Sequence, residues 1–208
     1  MLRYVPDCSD PLPSPHPYYL LLEISVASFE ENKTMKDLLT SADIAGITND
    51  AIIAMKMEEA MHLWRLRKEI SGSQRAEGAS IKHDISLPVS RLAEFISEAS
   101  TAVEVAIPNS RLVAFGHLGD GNLHFNVSQP AKADRNKFLA KWRMLNRAVH
   151  DIVMSMDGSF SAEHGIGRLK LDDLIHYRST TEVNLMRGLK STLDPKGILN
   201  PGKVLKPS

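Results

Sequence analysis

The 208-residue chain is 43% hydrophobic and 24% charged, with 25 basic and 25 acidic side chains. That is apolar material enough for a packed core, and the even charge excludes both a disordered polyelectrolyte and a basic nucleic-acid binder. The single cysteine, Cys8, excludes an intramolecular disulfide framework and a Cys-rich zinc site. The longest apolar run, Tyr18 to Leu22, is broken by Glu23 and is too short to span a membrane. Met1 to Pro15 has an early arginine but no apolar central run, so no signal peptide is read and a soluble, cytosolic-type chain is expected.

Pro6, Pro11, Pro13, Pro15 and Pro17 prevent a helix or central strand, so residues 1–17 read as an extended arm or residual inter-domain linker. Residues 18–208 read as the folded domain. A first strand is expected at Tyr18–Ala27 and a short helix around Met35–Leu39. Between Ile52 and Ile70, Met55, Ala60, Leu63, Trp64 and Leu66 share one helical face, with Asn49 or Asp50 as a cap. Ser71-Gly72-Ser73 ends that helix. Ser80–Leu87 alternates as a strand, with Ile81, His83 and Ile85 on one face and Lys82, Asp84 and Ser86 on the other.

Pro88 opens a helix whose apolar face holds Leu92, Phe95 and Ile96. Arg111–Val127 reads as a hairpin. Phe138, Trp142, Leu145, Val149, Ile152 and Met156 predict one long amphipathic helix, which Asp157-Gly158 stops. A loop over Ser159–Gly167, two short helices and a Pro/Gly-punctuated tail follow. The pattern predicts an α+β fold, a ferredoxin-like sandwich whose antiparallel sheet carries helices on one face.

The hairpin is the first chemical signal. Asp120-Gly121 is a favoured two-residue turn, and with that turn His117 faces His124 across the strands. Asn126 joins the same face, while Leu118, Leu123 and Phe125 turn to the other. Two imidazoles backed by an apolar layer suit one divalent ion, although a local hydrogen-bonded pair fits the same residues. His16, His62, His83, His150 and His176 lack a partner at a meaningful spacing.

In Ser159-Phe-Ser-Ala-Glu163-His164-Gly-Ile-Gly167, a carboxylate adjoins an imidazole. Either Glu163 faces a metal and His164 a substrate, or the reverse, or the pair is simply solvated. Gly165-x-Gly167 is no nucleotide fingerprint, because a third glycine is missing at the required spacing. Arg67 and Ser71 lie one helical turn apart, and Lys82 is on the outward set of its strand. They suit a carboxylate anion or plain solvent equally.

Phe115-Gly-His-Leu-Gly-Asp-Gly-Asn-Leu-His124, Ser161-Ala-Glu-His-Gly-Ile-Gly167 and Asp194-Pro-Lys-Gly-Ile-Leu-Asn-Pro-Gly-Lys203 together resemble one family. It is the C-terminal domain of FAD-linked 2-hydroxy-acid dehydrogenases and oxidases, the group acting on D-lactate, glycolate and D-2-hydroxyglutarate. The Trp64-x-Leu-Arg67 and Lys82-to-Pro88 segments also fit, so the resemblance runs from about Asp10 to Lys206.

The resemblance implies a substrate-binding cap over a flavin. It makes His117, His124 and Glu163 the ligands of a divalent metal, usually zinc, and His164 the general base. Arg67, Ser71, Lys82 and Asn126 become substrate contacts, although the family often has threonine where Ser71 stands. Asn200 would lie toward FAD. The FAD-binding domain of the parent protein is then a partner expected ahead of Met1, and these residues carry half an active site. The implied ligand is a small 2-hydroxy acid; no nucleic acid and no membrane span are expected, and a homodimer stays open. A stand-alone metal-dependent hydrolase and a non-catalytic module stapled by its metal are the alternatives.

Overall fold

The computed structural model describes residues 2–25 and 32–206. The chain divides into two compact units, Met1–Glu77 and Gly78–Ser208.

In the first unit the described residues form two α-helices, α1 (Asn32–Ile44) and α2 (Met57–Ser73). Helix α2 starts later than the periodicity from Ile52 suggests. The Glu59 carboxylate turns back to accept the N–H groups of Met55 (2.7 Å) and Lys56 (3.2 Å), which fixes the first turn there. Asp50 instead bonds the adjacent Ala51 N–H. The strand expected at Tyr18–Ala27 does not form over residues 18–25, while 26 and 27 lie outside the described residues. An extended segment needs a neighbour for its N–H and C=O groups, and no strand stands in this unit among the described residues. Local bonds replace a ladder: the Tyr19 hydroxyl donates to Asp10 (2.8 Å) and accepts the His16 N–H (3.0 Å).

The second unit is built on a three-stranded antiparallel sheet of β1 (Ser80–Ser86), β2 (Arg111–His117) and β3 (Asn122–Ser128), in the order β1-β3-β2. Between β1 and β2 the chain forms α3 (Leu92–Ala106), entered by a 3₁₀ turn at Val89–Arg91 directly after Pro88. After β3 come α4 (Arg135–Leu139) and α5 (Trp142–Ser155). These replace the single long helix expected. Asp134 caps α4 by accepting the Lys137 N–H at 2.8 Å. Ala140 and Lys141 then form the turn that separates it from α5.

Ile81 and Ile85 of β1 stand with Leu123, Phe125 and Val127 of β3 on one sheet face. They pack against Leu92, Phe95, Ala99 and Val103 of α3 and Leu145, Val149 and Val153 of α5. The helices thus cover one face, as alternation against single apolar stripes predicts. Beyond α5, Ser159 exchanges both backbone bonds with Ser86 (2.8 and 2.9 Å), a one-residue bridge on the outer side of β1. Strand, helix, two strands, helix and bridge follow one another as in a ferredoxin-like split βαβ unit, which bears out the α+β reading. Two more helices, α6 (Leu171–Tyr177) and α7 (Thr180–Leu193), close the unit, the latter with a reciprocal Ser179–Glu182 capping box.

Candidate metal and substrate site

The sheet face away from the helices carries the chemistry. Across β1 and β3, Lys82 opposes Asn126 and Asp84 opposes His124; across β2 and β3, Phe115 opposes His124 and His117 opposes Asn122. The hairpin register therefore differs by two residues from the expected one. Leu118–Asp120 form a 3₁₀ turn and Gly121 closes it at φ +71°, so the connection has four residues rather than two. The Asp120 carboxylate accepts the Asn122 N–H at 3.0 Å, stabilising the longer turn. The Gly121 carbonyl also accepts the Leu87 N–H at 3.1 Å, and a Cβ at Gly121 would meet the Leu87 oxygen at 1.9 Å. A shift of two preserves the face, so His117, His124 and Asn126 still emerge together.

The Ser159–Gly167 loop reaches this face through β1. Besides the Ser86–Ser159 bridge, the Asp84 carbonyl accepts the Ala162 N–H (3.3 Å) and the Asp84 carboxylate accepts the N–H groups of Glu163 (3.1 Å) and His164 (2.8 Å). His124 Nε2 then lies 3.1 Å from Glu163 Oε1, and its Nδ1 lies 3.9 Å from Asp84 Oδ1. The rings of His124 and His164 stack at 5.8 Å, and Phe115 lies against His124 at 5.0 Å. His164 is 65% exposed in its side chain, open to an incoming ligand.

One ligand atom each from Asp84, His124, Glu163 and His164 falls within 4.8 Å of the others. Imidazoles mixed with carboxylates suit zinc. Two donors each about 2.0 Å from a tetrahedral ion stand roughly 3.3 Å apart, close to the His124–Glu163 separation of 3.1 Å. The buried Asp84 Oδ1 makes no hydrogen bond. Donor set, spacing and orphaned oxygen all fit a divalent ion.

The remaining expected site residues are distributed as follows. His117 is exposed on the same face, 3.9 Å from Asp120, and is not among those four. Asn126 is buried beside Lys82, which is exposed. Arg67 and Ser71 belong to α2 of the first unit, half-buried and exposed respectively. Asn200 sits in the tail at φ +45°, and that tail is tied to the loop by the Val204 N–H on the Gly167 carbonyl (2.9 Å) and by Arg168 on the Pro201 carbonyl (3.3 Å). Asp194 organises the tail motif by accepting the Ile198 and Leu199 N–H groups at 3.0 and 2.9 Å.

Asp84 and Lys170 were not foreseen as site residues. Lys170 donates to the carbonyls of Phe160 (2.7 Å) and Asp84 (3.3 Å), and burial lowers its pKa. Asp84 carried a signal in its acidic place on the outward set of β1, but no spacing to a second ligand marked it.

The α+β domain thus gathers imidazoles, carboxylates and a lysine on one sheet face. The sequence matches the family described as FAD linked oxidases, C-terminal domain, over residues 2–204, and the chain belongs to that family. It is 34% identical over 198 residues to the D-2-hydroxyglutarate dehydrogenase of Stutzerimonas stutzeri, covering 95% of this chain and 42% of that protein. With the probable mitochondrial D-2-hydroxyglutarate dehydrogenase of Oryza sativa subsp. indica, identity is 36% over 210 residues, 100% of this chain and 36% of the relative. The mitochondrial D-2-hydroxyglutarate dehydrogenase of Rattus norvegicus is 36% identical over 191 residues, 91% of this chain and 34% of that protein. The chain therefore spans about two-fifths or less of the length of these relatives. Plant and animal relatives are named mitochondrial, which lends no support to the cytosolic expectation. No helix among the described residues is long and apolar enough to cross a membrane.

Proposed function

We propose that this chain is the substrate- and metal-binding domain of a flavin-dependent dehydrogenase that oxidises a D-2-hydroxy acid, D-2-hydroxyglutarate first among them, to its 2-oxo acid. The observation that carries the reading is the meeting of His124, Glu163 and His164 on one sheet face, in a chain whose relatives are named for that substrate. His124 and Glu163 hold the divalent ion, taken as zinc, and His117 from the same face is the third ligand. When bound, the ion supplies a Lewis acid and FAD supplies the acceptor for the α-hydrogen and its electron pair. His164 takes the proton from the substrate hydroxyl, a role an imidazole fills near neutral pH. Arg67, Ser71 and Lys82 bind substrate carboxylates, of which a 2-hydroxyglutarate has two, and Asn126 contacts the substrate. Asn200 faces the flavin, which is held mainly by a separate FAD-binding domain of the parent protein.

The test uses the longest reading frame that contains this sequence, purified and assayed by dye reduction with D-2-hydroxyglutarate, D-lactate and glycolate. A yellow, flavin-containing protein with its highest kcat/KM on D-2-hydroxyglutarate is expected. The 208-residue chain alone should bind zinc yet neither hold nor reduce flavin. A flavin-free full-length protein, or one that leaves all three acids untouched, overturns the reading.

A further inference from the structure

The loop that carries Glu163 and His164 is held by a side chain from beyond its end. Lys170 follows the loop at the start of α6, yet its ammonium turns back ten positions to donate to the Phe160 carbonyl at 2.7 Å. The same nitrogen donates to the Asp84 carbonyl of β1 at 3.3 Å and stands 4.0 Å from Asp84 Oδ2. The Lys170 backbone N–H donates to the Ile166 carbonyl at 3.2 Å. One residue therefore grips the loop near both ends, together with the strand beside it.

The grip reaches the site through Asp84. The Asp84 carboxylate accepts the N–H groups of Glu163 (3.1 Å) and His164 (2.8 Å), and its carbonyl accepts the Ala162 N–H (3.3 Å). Only 5% of the Asp84 side chain and 16% of that of Lys170 are exposed. A carboxylate so buried needs a compensating charge, and an ammonium supplies one along with three donors. Phe160 is buried too, so a carbonyl deprived of its donor there is costly.

We infer that Lys170 is a positioning residue: its ammonium clasps the loop to β1 and so fixes Glu163 and His164 beside His124. The inference rests on the reading above for the tasks of Glu163 and His164 as metal ligand and base. Arg67, Ser71 and Lys82 stand outside the loop, so loosening it leaves the carboxylate contacts in place and displaces the base. A misplacement of about 1 Å costs up to about 100-fold in rate. The mark of the clasp is thus a fall in kcat with KM held.

Lys170→Met keeps an unbranched stem and removes the charge and the donors. It is compared with wild type in the longest reading frame that contains this sequence, on D-2-hydroxyglutarate with zinc saturating. Its kcat should fall about 10–100-fold while KM stays within about twofold. Hydrogen exchange resolved to single amides is read on the same two proteins. In wild type the Glu163 and His164 amides should exchange at least about 100-fold more slowly than a solvated loop. In Lys170→Met they should exchange about 10–100-fold faster than in wild type, with the β1–β3 ladder unchanged.

Free-loop exchange at both amides in the wild type overturns the inference, and that measurement requires no variant to fold. So does a Lys170→Met protein with wild-type kcat, or one whose loss lies wholly in KM. Should D-2-hydroxyglutarate, D-lactate and glycolate all go unoxidised, the function reading fails by itself, and exchange at Glu163 and His164 still decides the clasp.

Discussion

His117 and His124 leave the same face of the hairpin but meet different surroundings. His124 is enclosed by Asp84, Glu163 and Phe115, whereas His117 stands over the turn beside Asp120. Alternation along β3 and the glycine-bearing turn made their common face legible in the sequence. The neighbours of His124 were not, because Asp84 and Glu163 come together through a bond from the Glu163 N–H to the Asp84 carboxylate across 79 positions of chain. Replacing His117 by alanine should abolish stoichiometric zinc, while His164→Ala should keep the ion and slow turnover by about 10²–10⁴. Zinc retained without His117 and lost without His164 would hand the third ligand position to His164; metal analysis of both variants decides. On α2, Arg67→Ala should lower kcat/KM of the full-length protein by roughly ten- to a hundredfold, the worth of a charge-assisted contact of about 1.5–3 kcal/mol. Unchanged kinetics on all three acids would release Arg67 from substrate binding.

Between elements, close approaches of backbone settle what side-chain patterns leave undecided. Asp120-Gly121 signalled a turn correctly, yet its length was set by tertiary contact: Gly121 lies under Leu87, and Asp120 bonds Asn122. Such contacts have no local signature. Gly158 plays the same part for the loop. A Cβ there would fall 2.6 Å from the Ser86 carbonyl and 2.8 Å from a Val153 methyl, where the loop docks against β1. Gly158→Ala should destabilise the chain by about 1–3 kcal/mol, as overpacking does, and speed amide exchange at Ser86 and Ser159. Native melting and native exchange in that variant would show that the bridge tolerates the extra carbon. The core elements β1, β3 and α3 were legible because their apolar periods are strong. The strand expected at residues 18–25 shows the reverse case, an apolar run that finds no ladder partner among the described residues of its unit.

Over the whole second unit, stability should depend on two histidines that the site does not use. His83, from the core face of β1, donates Nδ1–H to the Phe125 carbonyl at 2.7 Å, and its ring meets that of His150 from α5 edge-on at 5.7 Å. Burial pushes both down to about 4. Around His150, Lys170 and Arg147 lower it further and Asp151 opposes them, while Asp173 stands 3.6 Å away. In the unfolded chain each imidazole titrates near 6.5. Above about pH 6.5 both states are neutral and stability is complete. Between about 6.5 and 4 the unfolded chain takes up protons that the folded chain refuses, so stability falls as pH falls, by up to about 1.4 kcal/mol per pH unit for each histidine. Urea midpoints measured from pH 8 to 4 should show this slope, and His150→Leu should lessen it by about half. A midpoint independent of pH over that window would sink the expectation.

Strand β1 serves two faces on alternate residues: Ile81, His83 and Ile85 face the core, while Lys82 and Asp84 between them face the side that carries His124 and Asn126. A codon deleted within β1 or β3 would therefore not shorten the site; it would exchange it with the core beyond the deletion, burying lysine, aspartate and imidazole against α3 and α5. Substitutions can tune one face at a time, but insertions and deletions strike both together. Length variation between relatives should accordingly gather in the connections between elements and leave these two strands untouched.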